Sequence, residues 1–66
     1  MISREGKYIG EFKKGLKHGR GRFFYQNNRY YDGVFSGDLR NGEGVIMDEI
    51  EGRVVKKGKW RNDVLL

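Results

Sequence analysis

The chain has no cysteine and no proline, and its sequence also contains no threonine and no alanine. Without cysteine there is no disulfide framework and no thiolate zinc site, and a lone histidine, His18, cannot build a His-rich metal centre. Long apolar runs are missing too: the longest are three residues, such as Val64-Leu65-Leu66. That excludes a transmembrane helix of ~20 residues and the apolar stretch of a signal peptide, and it points to a cytoplasmic placement. Catalytic nucleophiles are scarce, with only Ser3 and Ser36 and no second histidine to pair with either. Neither a cofactor nor a metal is called for. At 66 residues and 36% hydrophobic content there is room for one module, residues 1–66, and not for a two-domain enzyme. A chain this short without staples leans on neighbouring repeats, a second copy or a partner.

What is present is glycine, aromatic residues and charge. Eleven glycines and no alanine argue against a helical bundle, because glycine costs ~1 kcal/mol relative to alanine at each helical position. The net charge of +5 is segmented. Residues 1–22 carry seven Lys/Arg against Glu5 and Glu11, residues 23–55 carry three Arg against six acids, and residues 56–66 carry four cations against Asp63. Such a balance invites acidic partners.

The chain repeats itself. Tyr8, Gly10, Phe12, Leu16, Gly19 and Gly21 recur 23 residues later as Tyr31, Gly33, Phe35, Leu39, Gly42 and Gly44. Gly58 and Trp60 open a third unit 25 residues after Gly33 and Phe35, so the second unit holds two extra residues, placed near the acidic stretch Asp48–Gly52. The units are therefore about 8–30, about 31–55 and a partial one at about 56–66. Inside a unit the pattern has period two. Tyr8, Gly10 and Phe12 share one strand face; after a turn over Lys13–His18, Gly19, Gly21 and Phe23 share a face opposite Arg20, Arg22 and Phe24. Each arm is expected to be about five or six residues long, with strand glycines leaving room for rings to lie flat over the neighbouring backbone. Asn27-Asn28 and Glu51-Gly52 suit connections with left-handed backbone geometry. The fold class is all-β, an elongated antiparallel ribbon of stacked β-hairpins with no helix of note.

The segment Tyr8-Ile9-Gly10-Glu11-Phe12-Lys13-Lys14-Gly15-Leu16-Lys17-His18-Gly19-Arg20-Gly21 resembles the MORN repeat, whose pattern is Tyr-x-Gly-x-Trp/Phe followed by Gly-x-Gly after a short turn. Residues 31–44 resemble a second copy, with Asp38 in place of the turn glycine, and Lys56–Asp63 resembles the start of a third, with Lys56 where the pattern has tyrosine. That departure, together with the two extra residues, leads us to expect a distorted or ending array at Lys56. The resemblance implies a scaffold, an accessory module for docking or membrane apposition, associated with the cytoskeleton or the cytosolic face of a membrane.

Two surfaces are candidates for binding. The aromatic row Tyr8, Phe12, Tyr31, Phe35 and Trp60 reads first as core; since a thin ribbon cannot cover both sides of its rings, it also reads as a groove for another protein's helix or extended segment. The basic group Lys13, Lys14, Lys17, Arg20 and Arg22 reads first as solvated turn and second as a site for acidic membrane lipids. Nucleic acid is disfavoured, because the aromatics already have a structural job and the basic patch is interrupted by acidic sequence. Open strand edges and the apolar end Val64-Leu65-Leu66 point to a further copy, a longer array or a covering chain.

Overall fold

The computed structural model of the chain describes residues 2–3 and 6–66. Its strands are β1 (Ile2–Ser3), β2 (Gly6–Lys13), β3 (Leu16–Tyr25), β4 (Arg29–Ser36), β5 (Leu39–Asp48), β6 (Val54–Arg61) and β7 (Val64–Leu65). They form one antiparallel sheet in sequence order, a meander without crossovers, measuring 35 × 27 × 15 Å. The all-β ribbon of hairpins is present, and there is no helix among the described residues. The principal arms are longer than the sequence pattern suggested, eight or ten residues instead of five or six, because the turns are tighter. The first turn is only Lys14-Gly15, not Lys13–His18. Both residues have positive φ, 53° and 80°, as a two-residue I′ hairpin requires. Gly37-Asp38 and Asn62-Asp63 repeat that geometry at the next two tips. Asn28 and Gly52 do adopt positive φ at the other end of the sheet.

The residues gained by the shorter turn go into a bulge. Gly10 pairs with Gly21 and Phe12 with Lys17, so β3 carries two more residues than β2 over the same span; β5 repeats this against β4 between Gly44 and Arg40. Gly19 sits in that bulge with φ 73°, against the Glu11 side chain, and Gly42 is its counterpart against Val34. The first glycine of Gly-x-Gly is thus a conformational requirement, and the reading of Gly19 as a glycine beneath a ring is corrected. The second glycine does lie beneath a ring. A side-chain carbon added at Gly21 would strike the Tyr8 ring, and one at Gly44 would strike the Tyr31 ring.

Tyr8, Tyr31, Phe35, Ile46 and Trp60 are the buried core, all on one face of the sheet. The rings alternate flat and upright in the spatial order Phe12, Tyr8, Phe35, Tyr31, Trp60, with neighbouring centroids 5.0–5.5 Å apart and planes at 81–86°. Each fully buried ring removes about 150–250 Å² from water, about 4–6 kcal/mol before chain entropy is subtracted. Tyr8 donates its hydroxyl hydrogen to the Glu11 carbonyl (2.7 Å), Tyr31 to the Val34 carbonyl (3.0 Å), and Trp60 its indole N–H to the Gly44 carbonyl (3.1 Å). The rings therefore bury area and leave no buried side-chain donor or acceptor unsatisfied among the described residues.

At the third unit the array is distorted as the sequence suggests, but it continues. Ile46 pairs with Lys56 and Met47 with Val54, which leaves Val55 as an extra residue in β6. Val55 packs against the core while Lys56 is exposed, so a bulge places a valine where the missing tyrosine would lie. The remaining insertion forms a closed loop on Asp48. Its carboxylate accepts the backbone N–H of Ile50 and Glu51 at 2.9 Å each, and its carbonyl accepts that of Gly52 at 2.8 Å.

Candidate functional site

The ring face is where the repeats build a shaped surface. Between the tips of the first and second hairpins, Asp38 accepts the backbone N–H of Lys17 at 2.7 Å, pairs with the Lys17 ammonium at 3.4 Å, and donates its own N–H to the Lys17 carbonyl at 3.1 Å. Between the second and third tips, Asp63 does the same to Arg40: it accepts the backbone N–H at 2.8 Å and the guanidinium Nε at 3.0 Å, and donates its N–H to the Arg40 carbonyl at 3.0 Å. Each turn aspartate clamps its hairpin onto the one before. The clamped cations then cap the rings. Lys17 lies 5.7 Å from the Tyr8 ring centre and 5.4 Å from that of Phe23, and Arg40 lies 4.4 Å from Trp60 and 5.9 Å from Tyr31.

Between the two clamps lies a hollow of about 330 Å³, with Phe23, Tyr25 and Phe35 for its apolar lining and Lys17, Asp38, Arg40 and Asp63 as its polar wall. The Arg40 guanidinium also donates to the Tyr25 hydroxyl at 3.2 Å. Because both cations are paired with carboxylates, the hollow is electrostatically balanced and suits a neutral or mixed-charge segment with an apolar side chain.

The sequence-derived sites divide in the structure. Of the aromatic row, Tyr8, Tyr31, Phe35 and Trp60 are at most 5% exposed and form the core, the first of the two readings of that row; Phe12, 49% exposed, is its ring with substantial open surface. Phe23 and Tyr25 were not singled out, yet they line the hollow. The basic group does not form one patch. Lys13 and Lys14 are exposed at the first tip, Lys17 is held on the ring face by Asp38, and Arg20 and Arg22 project from the opposite face, where Arg22 pairs with Asp32 at 3.1 Å. The clamps were missed because Asp38 reads as a lost turn glycine. Its signal was the joint recurrence of Lys17 as Arg40 and of Asp38 as Asp63 at the repeat spacing.

Ionisation follows the same architecture. The backbone N–H of Lys17 holds the Asp38 carboxyl below the ordinary carboxylate value of 3.8, and the backbone N–H groups of Glu51 and Ile50 do so for Asp48. A depressed carboxyl pKa favours the ionised acceptor, the opposite of what a general acid requires. Burial pushes the hydroxyls of Tyr8, Tyr25 and Tyr31 above the ordinary value of 10.0. Carboxylates with lowered folded pKa contribute stability that is present above 3.8 and lost as pH falls through the folded value. Tyrosines with raised folded pKa contribute stability that is complete below 10.0 and lost as pH rises through the folded value. Urea midpoints measured across pH should therefore give a plateau with an acid limb below 3.8 and an alkaline limb above 10.0. An alkaline limb beginning well below pH 10 would contradict the tyrosine assignment.

Among the described residues no group of three or more His, Cys, Asp or Glu is placed to hold a metal ion, and no helix is long and apolar enough to cross a membrane. Alsin of Rattus norvegicus, Mus musculus and Homo sapiens is in each case 29% identical over 45 residues, which is 68% of this chain and 3% of the relative. The chain thus spans a small fraction of the length of these curated relatives. The MORN repeat profile matches residues 8–28 and 31–48, more than half of the chain and the two units whose tyrosines, glycines and upright rings interlock in the core. With the motif positions matched in sequence and interlocked in space, this chain belongs to the MORN-repeat family.

Proposed function

We propose that this module is a noncatalytic scaffold that docks a segment of another protein on its ring face, at the hollow between the Asp38 and Asp63 clamps and over the adjoining Phe12. The buried rings Tyr8, Tyr31, Phe35 and Trp60 act as the rigid floor of that surface. Phe12, Phe23 and Tyr25 are its accessible aromatic part. MORN repeats are interaction and membrane-associating modules, which agrees with this reading at the level of the family. The observation that carries it is the hollow itself, an apolar lining of Phe23, Tyr25 and Phe35 between two internally neutralised cations. A rigid, aromatic, charge-balanced concavity of this kind anchors one apolar side chain and orients the polar groups around it. Its place is cytoplasmic, on a cytoskeletal assembly or at the cytosolic face of a membrane. For the lipid alternative, the dispersal of the basic group leaves Lys13 and Lys14 as its adjacent exposed pair.

The test uses a photo-crosslinking amino acid placed singly at position 12, 25 or 50 of the chain in its native cells. Position 50 is a control, because Ile50 is 75% exposed in the loop that follows β5. A partner crosslinked from positions 12 and 25 but not from 50, and lost on Phe12→Ser in a protein that keeps its circular dichroism spectrum, supports docking on the ring face. Crosslinks of equal yield from position 50, or none from 12 and 25, overturn it.

A further inference from the structure

The residue directly after each of the three two-residue tip turns is aliphatic and exposed: Leu16 (43%), Leu39 (36%) and Val64 (61%). These residues start β3, β5 and β7, and all three lie at the edge where the tips of the three hairpins stand side by side. Each projects to the side opposite the rings, because its neighbours Lys17, Arg40 and Leu65 occupy the ring side. With one strand between successive members, the row has a spacing of about 9.5–10 Å. That is close to the rise of seven residues of an α-helix, about 10.5 Å.

The charge nearest this row is positive, while Glu11, on the same side two residues before Lys13, accepts the backbone N–H of Arg20 at 2.8 Å. Cross-strand register sets Lys13 beside Leu16, Ser36 beside Leu39 and Arg61 beside Val64, with Lys14 in the first turn. Lys13, Lys14 and Arg61 are exposed and form no ion pair among the described residues. The tip aspartates do not offset them on this side, since Asp38 and Asp63 turn to the ring side to hold Lys17 and Arg40. We propose that Leu16, Leu39 and Val64 form a second docking surface, distinct from the ring face, for an acidic amphipathic helix with an apolar residue at every seventh position.

An acidic helix fits this row better than a flat anionic membrane. A helix lying along the outer side meets the three aliphatics, Lys13 and Arg61 together, its heptad stripe holding one face over about 14 residues. A membrane approached tip-first meets the half-exposed carboxylates of Asp38 and Asp63 at the same level as Leu39 and Val64, and like charges across that contact repel.

The experiment measures, by fluorescence anisotropy, binding of the full chain to a synthetic 21-residue helical peptide with leucine at every seventh position and glutamate and alanine elsewhere. A lysine-for-glutamate peptide and vesicles with and without phosphatidylserine are run in parallel. Wild type is expected to bind the acidic peptide at least tenfold more tightly than the Leu16→Ser/Leu39→Ser/Val64→Ser variant, whose substitutions are all exposed and leave the circular dichroism spectrum intact. A Lys13→Glu/Lys14→Glu/Arg61→Glu variant is expected to exchange preference and bind the lysine peptide. Tyr25→Ser, in the ring-face hollow, is expected to leave peptide binding unchanged, so failure of either surface is seen independently of the other. Absence of acidic-peptide binding, equal binding by the triple serine variant, or capture by anionic vesicles alone overturns the proposal.

Discussion

Gly44→Ala is expected to remove a large part of the chain's stability at 25 °C, although it adds a single methyl group. The new carbon would fall onto the Tyr31 ring and its hydroxyl. That ring has no direction in which to yield. Phe35 and Trp60 stand edge-on to it at 5.0 and 5.5 Å, and its hydroxyl is tied to the Val34 carbonyl. Overpacking of a fixed core costs about 1–3 kcal/mol, occasionally more, and a core of this size seldom supplies more than ~3–5 kcal/mol in all. Gly52→Ala is the control, since its added carbon meets open space and only the positive φ of 69° opposes it. That change should cost about 1–2 kcal/mol. Circular dichroism melts of the two variants decide the matter: a Gly44→Ala protein melting within a few degrees of wild type would mean that the ring is not clamped as described.

The contrast between those two glycines also shows what the sequence conveyed and what it did not. The 23-residue recurrence of Tyr-x-Gly and Gly-x-Gly was sufficient for the strand order and for the idea of rings over glycines, because both follow from period-two patterning and repeat spacing. It was insufficient for the different jobs of Gly19 and Gly21. One bends a bulge and the other admits a ring, a distinction set by register, and register depends on the length of the turn. Reading the turn as Lys13–His18 instead of Lys14-Gly15 hid the bulge. The clamps were hidden for a related reason: Asp38 and Lys17 belong to different hairpins, and only the pairing of β3 with β4 brings the tips together. Likewise a period-two count places Phe12, Tyr8 and Phe35 on one face but cannot rank their exposure. That depends on which rings have neighbours on both sides: Phe35 is flanked by Tyr8 and Tyr31, whereas the ring row reaches Phe12 through Tyr8 alone.

Tyr31→Ala should have an effect as large as Gly44→Ala, by removing material instead of adding it. Tyr31 is fully buried and is the link between Phe35 and Trp60, so its loss opens the row at its middle. Truncating a buried ring costs about 3–5 kcal/mol, and here two edge-on ring contacts, each about 0.5–1.5 kcal/mol, go with it. Arg40 would lose one of its two ring faces while keeping Asp63, so the second tip clamp should outlast the core beneath it. Tyr31→Phe separates the hydroxyl from the ring: it should cost about 1 kcal/mol for the bond to Val34 and weaken the alkaline limb of the stability profile. Urea denaturation of the three proteins at pH 7 and above pH 10 reads both effects. If Tyr31→Ala stayed folded with a midpoint near wild type, the interlocked rings would not be what holds the hairpins together, and the tip clamps would have to carry the stability instead. The same result bears on any binding assay. Because Phe35 and Trp60 belong to this row, alanine at either position tests folding, and only exposed positions such as Phe12 can separate docking from stability.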